Sequence, residues 1–307
     1  MTMSRTIESL AAAANVIRNS QSVTVAELRN AVGEWQTALT SLDVQHLLTQ
    51  VSLDPQSLVA VLQLPNQPVA TYETICSLLS VLLSTESLIS LLTAHESLLL
   101  MGIGSKMKCV QGVAVGLLRR KTQSAESITS LIHSPVCSAL LNAFVTSQSI
   151  SDLLLDIASP PWALELLLST NGDLLSFHMA HKDVAVKLRA YELVAKLCLA
   201  SPDTFRICQS HGLLDVFQKD LDSNDILETM NMVELYTQIA ETPTGCLFLD
   251  HLNVLSRLAD LFRNVSPEVD DITEVLLLCS VIKFWGILLC HQVFIFLVSS
   301  DFCELFQ

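Results

Sequence analysis

A helical pattern recurs through the second half of this chain at an interval of 40–42 residues, punctuated by Ser/Thr-Pro steps. DLLLDIASPPWALELLLSTNGDLLSF (152–177) aligns with YELVAKLCLASPDTFRICQSHGLLDVF (191–217), and both align with VELYTQIAETPTGCLFLDHLNVLSRL (233–258). Each copy predicts a helix, a capped proline turn, a short helix, a small polar break and another helix opening on Leu. Five steps, Ser134-Pro135, Ser159-Pro160, Ser201-Pro202, Thr242-Pro243 and Ser266-Pro267, place a hydroxyl at the N-cap and proline at the first helical position. Pro160 to Pro202 is 42 residues, and Pro202 to Pro243 is 41. Asp203, Glu268 and Asp270 put negative charge in first turns, where the helix dipole favours it.

A unit of this size cannot bury its apolar surface alone, so successive copies must stack. The fold class read from the sequence is therefore all-α, an armadillo/HEAT-like helical repeat solenoid. It is expected as one array over 1–289, clearest over 150–289, followed by a divergent apolar tail at 290–307. Half of the 307 residues are hydrophobic and only nine are glycine, which fits helices and excludes disorder. Toward the N-terminus helical patterns run through Ile7–Arg18, Val25–Leu39, Asp43–Thr49, Thr71–Ser84, Ser87–Leu100 and Lys106–Arg120. A Pro/Gln-rich break around 64–70 marks a kink or soft boundary rather than a domain linker.

Charge narrows the partners. Seventeen basic against thirty-one acidic side chains give a net charge of −14, which removes nucleic acid, since phosphate binding needs basic patches. Nine cysteines form no C-x-x-C pair, so reduced, mostly buried thiols in the cytoplasm, with the nucleus also open to the chain, are expected. Residues 275–298 are apolar enough to raise a membrane span, but Lys283 would cost about 2.5–3.5 kcal/mol near its centre. Two packed core helices explain the same residues without that cost.

On a helical wheel of residues 183–199, Val186, Ala190, Leu193, Val194 and Leu197 form one apolar side. Val184, Leu188, Tyr191, Ala195 and Leu199 form the other, leaving a polar strip of Arg189, Glu192 and Lys196. One period forward the strip becomes Asn231, Glu234 and Gln238; one period back it becomes Ser149, Asp152 and Asp156. These strips are expected to lie side by side on the concave face, where solenoids bind partners. An ordinary solvated surface would show the same residues, and Glu192–Lys196 is also a common i,i+4 pair.

No catalytic, metal or cofactor site is predicted. His178-x-x-His181 with Asp183 lacks the HExxH arrangement, and Cys208-x-x-His211 has no second ligand pair at finger spacing. Gly102-Ile103-Gly104-Ser105-Lys106 lacks Walker spacing and a preceding strand, so it reads as a helix break. Asp270-Asp271 dress a helix start, and Arg119-Arg120-Lys121-Thr122 a helix end. No G-x-S-x-G elbow is present.

At 182–217, KDVAVKLRAYELVAKLCLASPDTFRICQSHGLLDVF resembles a repeat of the proteasome non-ATPase regulatory subunit 5 family. Tyr191-Glu192-Leu193, Ser201-Pro202, Cys208 and Gly212-Leu213 fall where that pattern places them. Val281-Ile282-Lys283-Phe284-Trp285-Gly286 resembles a Val-Lys-Phe-Phe-Gly stretch of the same family. The resemblance implies a non-catalytic assembly chaperone that binds AAA-ATPase subunits, through their C-terminal domains, and other base subunits while the proteasome regulatory particle is built. It implies absence from the mature particle and no cofactor. The family's contact residues carry no short motif, so none is transferred onto this sequence. Family members continue for further repeats, so the chain reads as C-terminally truncated, its last repeat lacking a neighbour. A generic armadillo/HEAT adaptor for another protein client is the alternative.

Overall fold

A computed structural model describes residues 11–16, 24–41, 68–82, 96–215, 226–264 and 272–290. Among them every regular element is helical. The chain divides into two compact units, 1–153 and 154–307.

In the first unit α1 (Val25–Ser41) packs on α2 (Val69–Leu82), and α2 on α4 (Lys108–Lys121). Thr24 and Glu27 cap α1 reciprocally: Thr24 N–H donates to Glu27 Oε2 at 2.8 Å, and Glu27 N–H donates to Thr24 Oγ1 at 3.3 Å. Leu28, Val32 and Trp35 from α1 join Ile75, Leu78 and Leu79 from α2 and Leu117 and Leu118 from α4 in the buried core. Between α3 (Glu96–Ile103) and α4 the chain approaches so closely that a Cβ on Gly102 would fall 2.6 Å from Ala114 Cβ. That contact explains the glycine without a phosphate-binding role. Three basic residues, Arg119, Arg120 and Lys121, fill the last turn of α4, where the dipole favours them. Next come α5 (Ala125–Ile132), capped by Ser124, then α6 (Pro135–Ala143) and a single 3₁₀ turn at Phe144–Thr146. Ser134 precedes Pro135 as expected, but its hydroxyl donates to Leu131 O at 2.8 Å instead of capping. Helix α7 (Gln148–Ala158) crosses from the first unit into the second.

The repeat governs the second unit. Its helices are α8 (Pro161–Met179), α9 (Val184–Ala200), α10 (Pro202–Ser210), α11 (Ile226–Ile239), α12 (Pro243–His251), α13 (Val254–Asn264) and α14 (Ile272–Cys290). Ser201 caps α10 in a capping box with Thr204, and Thr242 Oγ1 caps α12 by accepting from Gly245 N–H at 3.0 Å. At the first copy the expected Ser159-Pro160 start is corrected by one residue: Pro160 is the N-cap and Pro161 the first helical residue. A residue before proline is driven to extended backbone, and Pro160 sits at φ −69°, ψ 130°. With that correction the N-caps fall at 160, 201 and 242, so the period is 41 residues both times. Ser266-Pro267, Glu268 and Asp270-Asp271 lie outside the described residues, as do Asp43–Thr49 and most of the 64–70 break.

A second difference concerns the polar break. Gly212 (φ 69°) and Asn253 (φ 56°), again 41 apart, end the short helices of the second and third copies in left-handed backbone, which these residue types tolerate. In the first copy Asn171-Gly172-Asp173 makes no break, because α8 runs unbroken from Pro161 to Met179. An interior glycine costs a helix only about 1 kcal/mol. Leu175, His178 and Met179, all buried beyond it, offset that cost.

Helix α9 is buried on two sides: Ala190, Leu193, Val194 and Leu197 on one, Tyr191 and Ala195 on the other. Over the described part of 275–298, helix α14 departs from the expected core packing by its exposure. It is one helix to Cys290, with 291–298 outside the described residues, and only 17% of Ile272–Leu289 is buried. That window is long and apolar enough to cross a membrane, with a mean hydropathy of 2.0. Leu277, Val281, Phe284 and Leu288 form its buried side, and the helix packs on α11 and α13.

The described thiols are free and mostly buried. Burial pushes Cys137 up to about 12. Burial, with Cys109 beside it, does the same to Cys76. A hydrogen bond with Cys208, then burial, raises Cys198, and burial raises Cys246. A raised folded-state pKa adds stability that is fully present below the ordinary thiol value of 9.0 and is lost as pH rises toward about 12. Melting temperature is therefore expected to fall as pH rises through that window. Iodoacetamide at pH 8 should label exposed Cys279 in the native protein and spare Cys137 and Cys198. Even labelling of all three under native conditions would contradict this burial.

Candidate functional site

The polar strip of the second unit is built on α9 and α11. Asp183 starts α9, its Oδ1 accepting from Ala185 N–H at 2.9 Å. Two-sided burial then leaves Arg189, Glu192 and Lys196 as the polar edge: Arg189 and Lys196 exposed, Glu192 partly so. Both oxygens of Glu192 are occupied, by Arg189 Nη1 at 3.1 Å and Lys196 Nζ at 2.7 Å. On α11, Asn231, Glu234 and Gln238 are exposed.

Helices α9 and α11 pack together, tied by a Lys187–Glu228 ion pair whose side chains are 15% and 18% exposed. That pair is 41 residues apart, one repeat. It sets the helices within one residue of the register that pairs Arg189, Glu192 and Lys196 with Asn231, Glu234 and Gln238. Opposite charges separated by one repeat were a signal available in the sequence. Lys283, from α14, has no such signal: it reaches 49 residues back and donates to both oxygens of Glu234 at 3.1 Å. Asp156 is exposed on α7 within the second unit. Asp152 belongs to the first unit, where its carboxylate accepts from Gln148 Nε2 at 2.9 Å.

Three cations (Arg189, Lys196, Lys283) against two carboxylates (Glu192, Glu234) leave 3 − 2 = +1 on these rows, in a chain of net charge −14. Exposed ion pairs contribute only about 0–1 kcal/mol each, so these cations can exchange their carboxylates for a partner's at little cost. The half-buried Lys187–Glu228 tie is worth more and holds the scaffold.

The other polar clusters serve the fold. Asp183 N–H donates to His181 Nδ1 at 3.0 Å in the α8–α9 connection, while His178 is buried within α8. Cys208 is buried, and His211 Nε2 meets Glu165 Oε1 at 3.3 Å. Among the described residues no group of three or more His, Cys, Asp or Glu side chains could hold a metal ion. Gly104, Ser105 and Lys106 line a cavity of about 540 Å³ with Lys108, Gln111 and residues 146–149.

A sequence profile described as proteasome non-ATPase 26S subunit matches residues 11–295. The 26S proteasome non-ATPase regulatory subunit 5 of Bos taurus is 28% identical over 125 residues, which is 40% of this chain and 24% of the relative. Its Homo sapiens counterpart gives the same figures. That of Mus musculus is 24% identical over 160 residues, 50% of this chain and 31% of the relative. The aligned part thus spans under a third of these relatives' length. Among solved structures, an engineered protein is similar over 91% of this chain and 68% of its own, at 16% identity and a TM-score of 0.43. A designed armadillo repeat protein is similar over 76% of this chain and all of its own, at 16% identity and a TM-score of 0.34. With the profile matching nearly its whole length, this chain belongs to the proteasome non-ATPase 26S subunit family.

Proposed function

We propose that this protein is a non-catalytic assembly chaperone of the proteasome regulatory-particle base. It binds AAA-ATPase subunits stoichiometrically while the base is built, and it is absent from the mature particle. The match of the family profile across residues 11–295 is the observation that carries the proteasomal role. Regulatory subunit 5 relatives from cattle, human and mouse point the same way. The proposed docking surface is the polar strip of the second unit, with Arg189, Glu192 and Lys196 beside Asn231, Glu234 and Gln238, and with Asp156 of α7 as its further carboxylate. Helices buried on two sides hold the strip rigid, so its polar edge is presented without a large ordering cost on binding. Masking follows from this: a subunit held here cannot offer the same surface to its next neighbour. No cofactor is needed, and the proposed location is the cytoplasm, with the nucleus also open to the protein.

Reversing Arg189, Lys196 and Lys283 to Glu together is expected to weaken binding to purified ATPase C-terminal domains at least tenfold, an effect of about 1.4 kcal/mol or more. Arg206→Glu, at a side chain 75% exposed on α10 and paired with Asp203 rather than with a strip residue, is expected to leave binding unchanged. Equal binding by the triple variant and wild type would remove the strip from the interface. Binding to none of the ATPase domains would favour an adaptor for another client.

A further inference from the structure

Helix α14 has two apolar sides, and among the described residues only one of them is packed. Leu277, Val281, Phe284 and Leu288 are at most 9% exposed. On the other side Ile272, Val275, Cys279, Ile282, Gly286 and Leu289 recur at alternating intervals of three and four, and all six are exposed. Ile272 is 74% exposed, Ile282 57% and Leu289 59%, with Leu276 alongside at 49%. This is the heptad spacing of paired helices, with Ile272, Cys279 and Gly286 at one seam position and Val275, Ile282 and Leu289 at the other. The seam carries no charge. Its nearest cation, Lys283, is turned to Glu234 of α11.

We infer that this seam is a contact between two copies of the chain, with α14 lying antiparallel against α14. Reversed direction sets Ile272 opposite Leu289, Val275 opposite Gly286 and Cys279 opposite Ile282, so each small residue receives a larger one. A parallel pairing would set glycine against glycine and cysteine against cysteine, leaving the gaps that packed helices avoid. The exposed parts of these side chains amount to roughly 500 Å² per copy, or about 1,000 Å² in all, the lower bound for a specific interface. A lipid environment fits less well. One side of α14 is packed on α11, so lipid could surround the helix only after that core was pulled apart. The seam borders the polar strip at Lys283, which follows Ile282, but its pairing rests on the apolar positions and does not depend on the function proposed above.

Sedimentation velocity of the full chain tests this, together with a short bismaleimide cross-linker. The two copies of Cys279 would fall in adjoining layers at the centre of the seam, and Cys279 is exposed. Expected are a dimer in the tens of micromolar that dissociates on dilution, and a cross-link mapped to Cys279 in both copies and lost in Cys279→Ser. Ile282→Glu, at an exposed position, should give a monomer with unchanged helical circular dichroism and melting temperature. If that variant misfolds, the cross-link in the otherwise unaltered chain still decides. Three results would overturn the inference. One is a monomer throughout with Cys279 protected, meaning that the chain's own residues 291–307 cover the face. Another is a monomer that floats with phosphatidylcholine vesicles. The third is a dimer unaffected by Ile282→Glu and cross-linked elsewhere.

Discussion

Gly245→Ala is expected to destabilise the second unit by about 3 kcal/mol or more and to lower its melting temperature by roughly 6–12 °C. Gly245 is the third residue of α12 and is buried at the elbow that follows α11. A Cβ there would lie 1.8 Å from the carbonyl oxygen of Ile239 and 2.7 Å from its carbonyl carbon. Both are backbone atoms, so no rotamer change relieves the clash, and the elbow itself must open. Opening it also strains the cap, because Gly245 N–H donates to Thr242 Oγ1. The equivalent residues one and two repeats earlier, Thr204 and Ala163, are fully buried and do carry side chains, so the restriction is local to this elbow. The sign makes the test sharp. Without the clash, Gly→Ala in a helix would stabilise by about 0.4–1 kcal/mol through the unfolded chain. A thermal melt that is unchanged or raised would show that the elbow is looser than described.

Tyr236→Ala is expected to cost about 3–5 kcal/mol. Tyr236 is fully buried on α11, where the repeat equivalent on α9 is Ala195; Tyr191 on α9 in turn corresponds to Met232 on α11. The large ring is thus shifted by about one helical turn between successive copies while the backbone period stays at 41. Truncating it removes a large buried volume from the helix that packs on both α9 and α14. The cavity should lower the urea midpoint without abolishing helix in the first unit. A shift worth less than about 1 kcal/mol would mean that the site collapses around the missing ring.

Much of this fold was legible from the chain, and the failures have identifiable causes. Ser201-Pro202 and Thr242-Pro243 announced their helices because a hydroxyl cap and an N1 proline are local chemistry, independent of packing. Ser159-Pro160-Pro161 misled by one residue because two adjacent prolines offered two starts, and only backbone sterics choose between them. Asn171-Gly172-Asp173 looked like a break equal to Gly212 and Asn253. Whether a weak helix former ends a helix depends on what lies beyond it, and in the first copy that was buried leucine, histidine and methionine. Hydropathy alone gave no warning of the exposed side of α14, since it records how apolar a residue is and not whether a neighbour covers it. Within the candidate site, Arg189, Glu192 and Lys196 were readable as the polar edge of a two-sided helix. Lys283 was not, because its meeting with Glu234 depends on how α14 lies on α11.

In the proposed role this family member captures proteasomal ATPase subunits outside the finished particle. An affinity pull-down of tagged protein from cytosol, quantified by mass spectrometry, tests it most directly. Expected are ATPase subunits of the base in near-stoichiometric amounts, with core-particle subunits far below them. Recovery of intact proteasomes with core and regulatory subunits in equal proportion, or of soluble tagged protein without ATPase subunits, would contradict it.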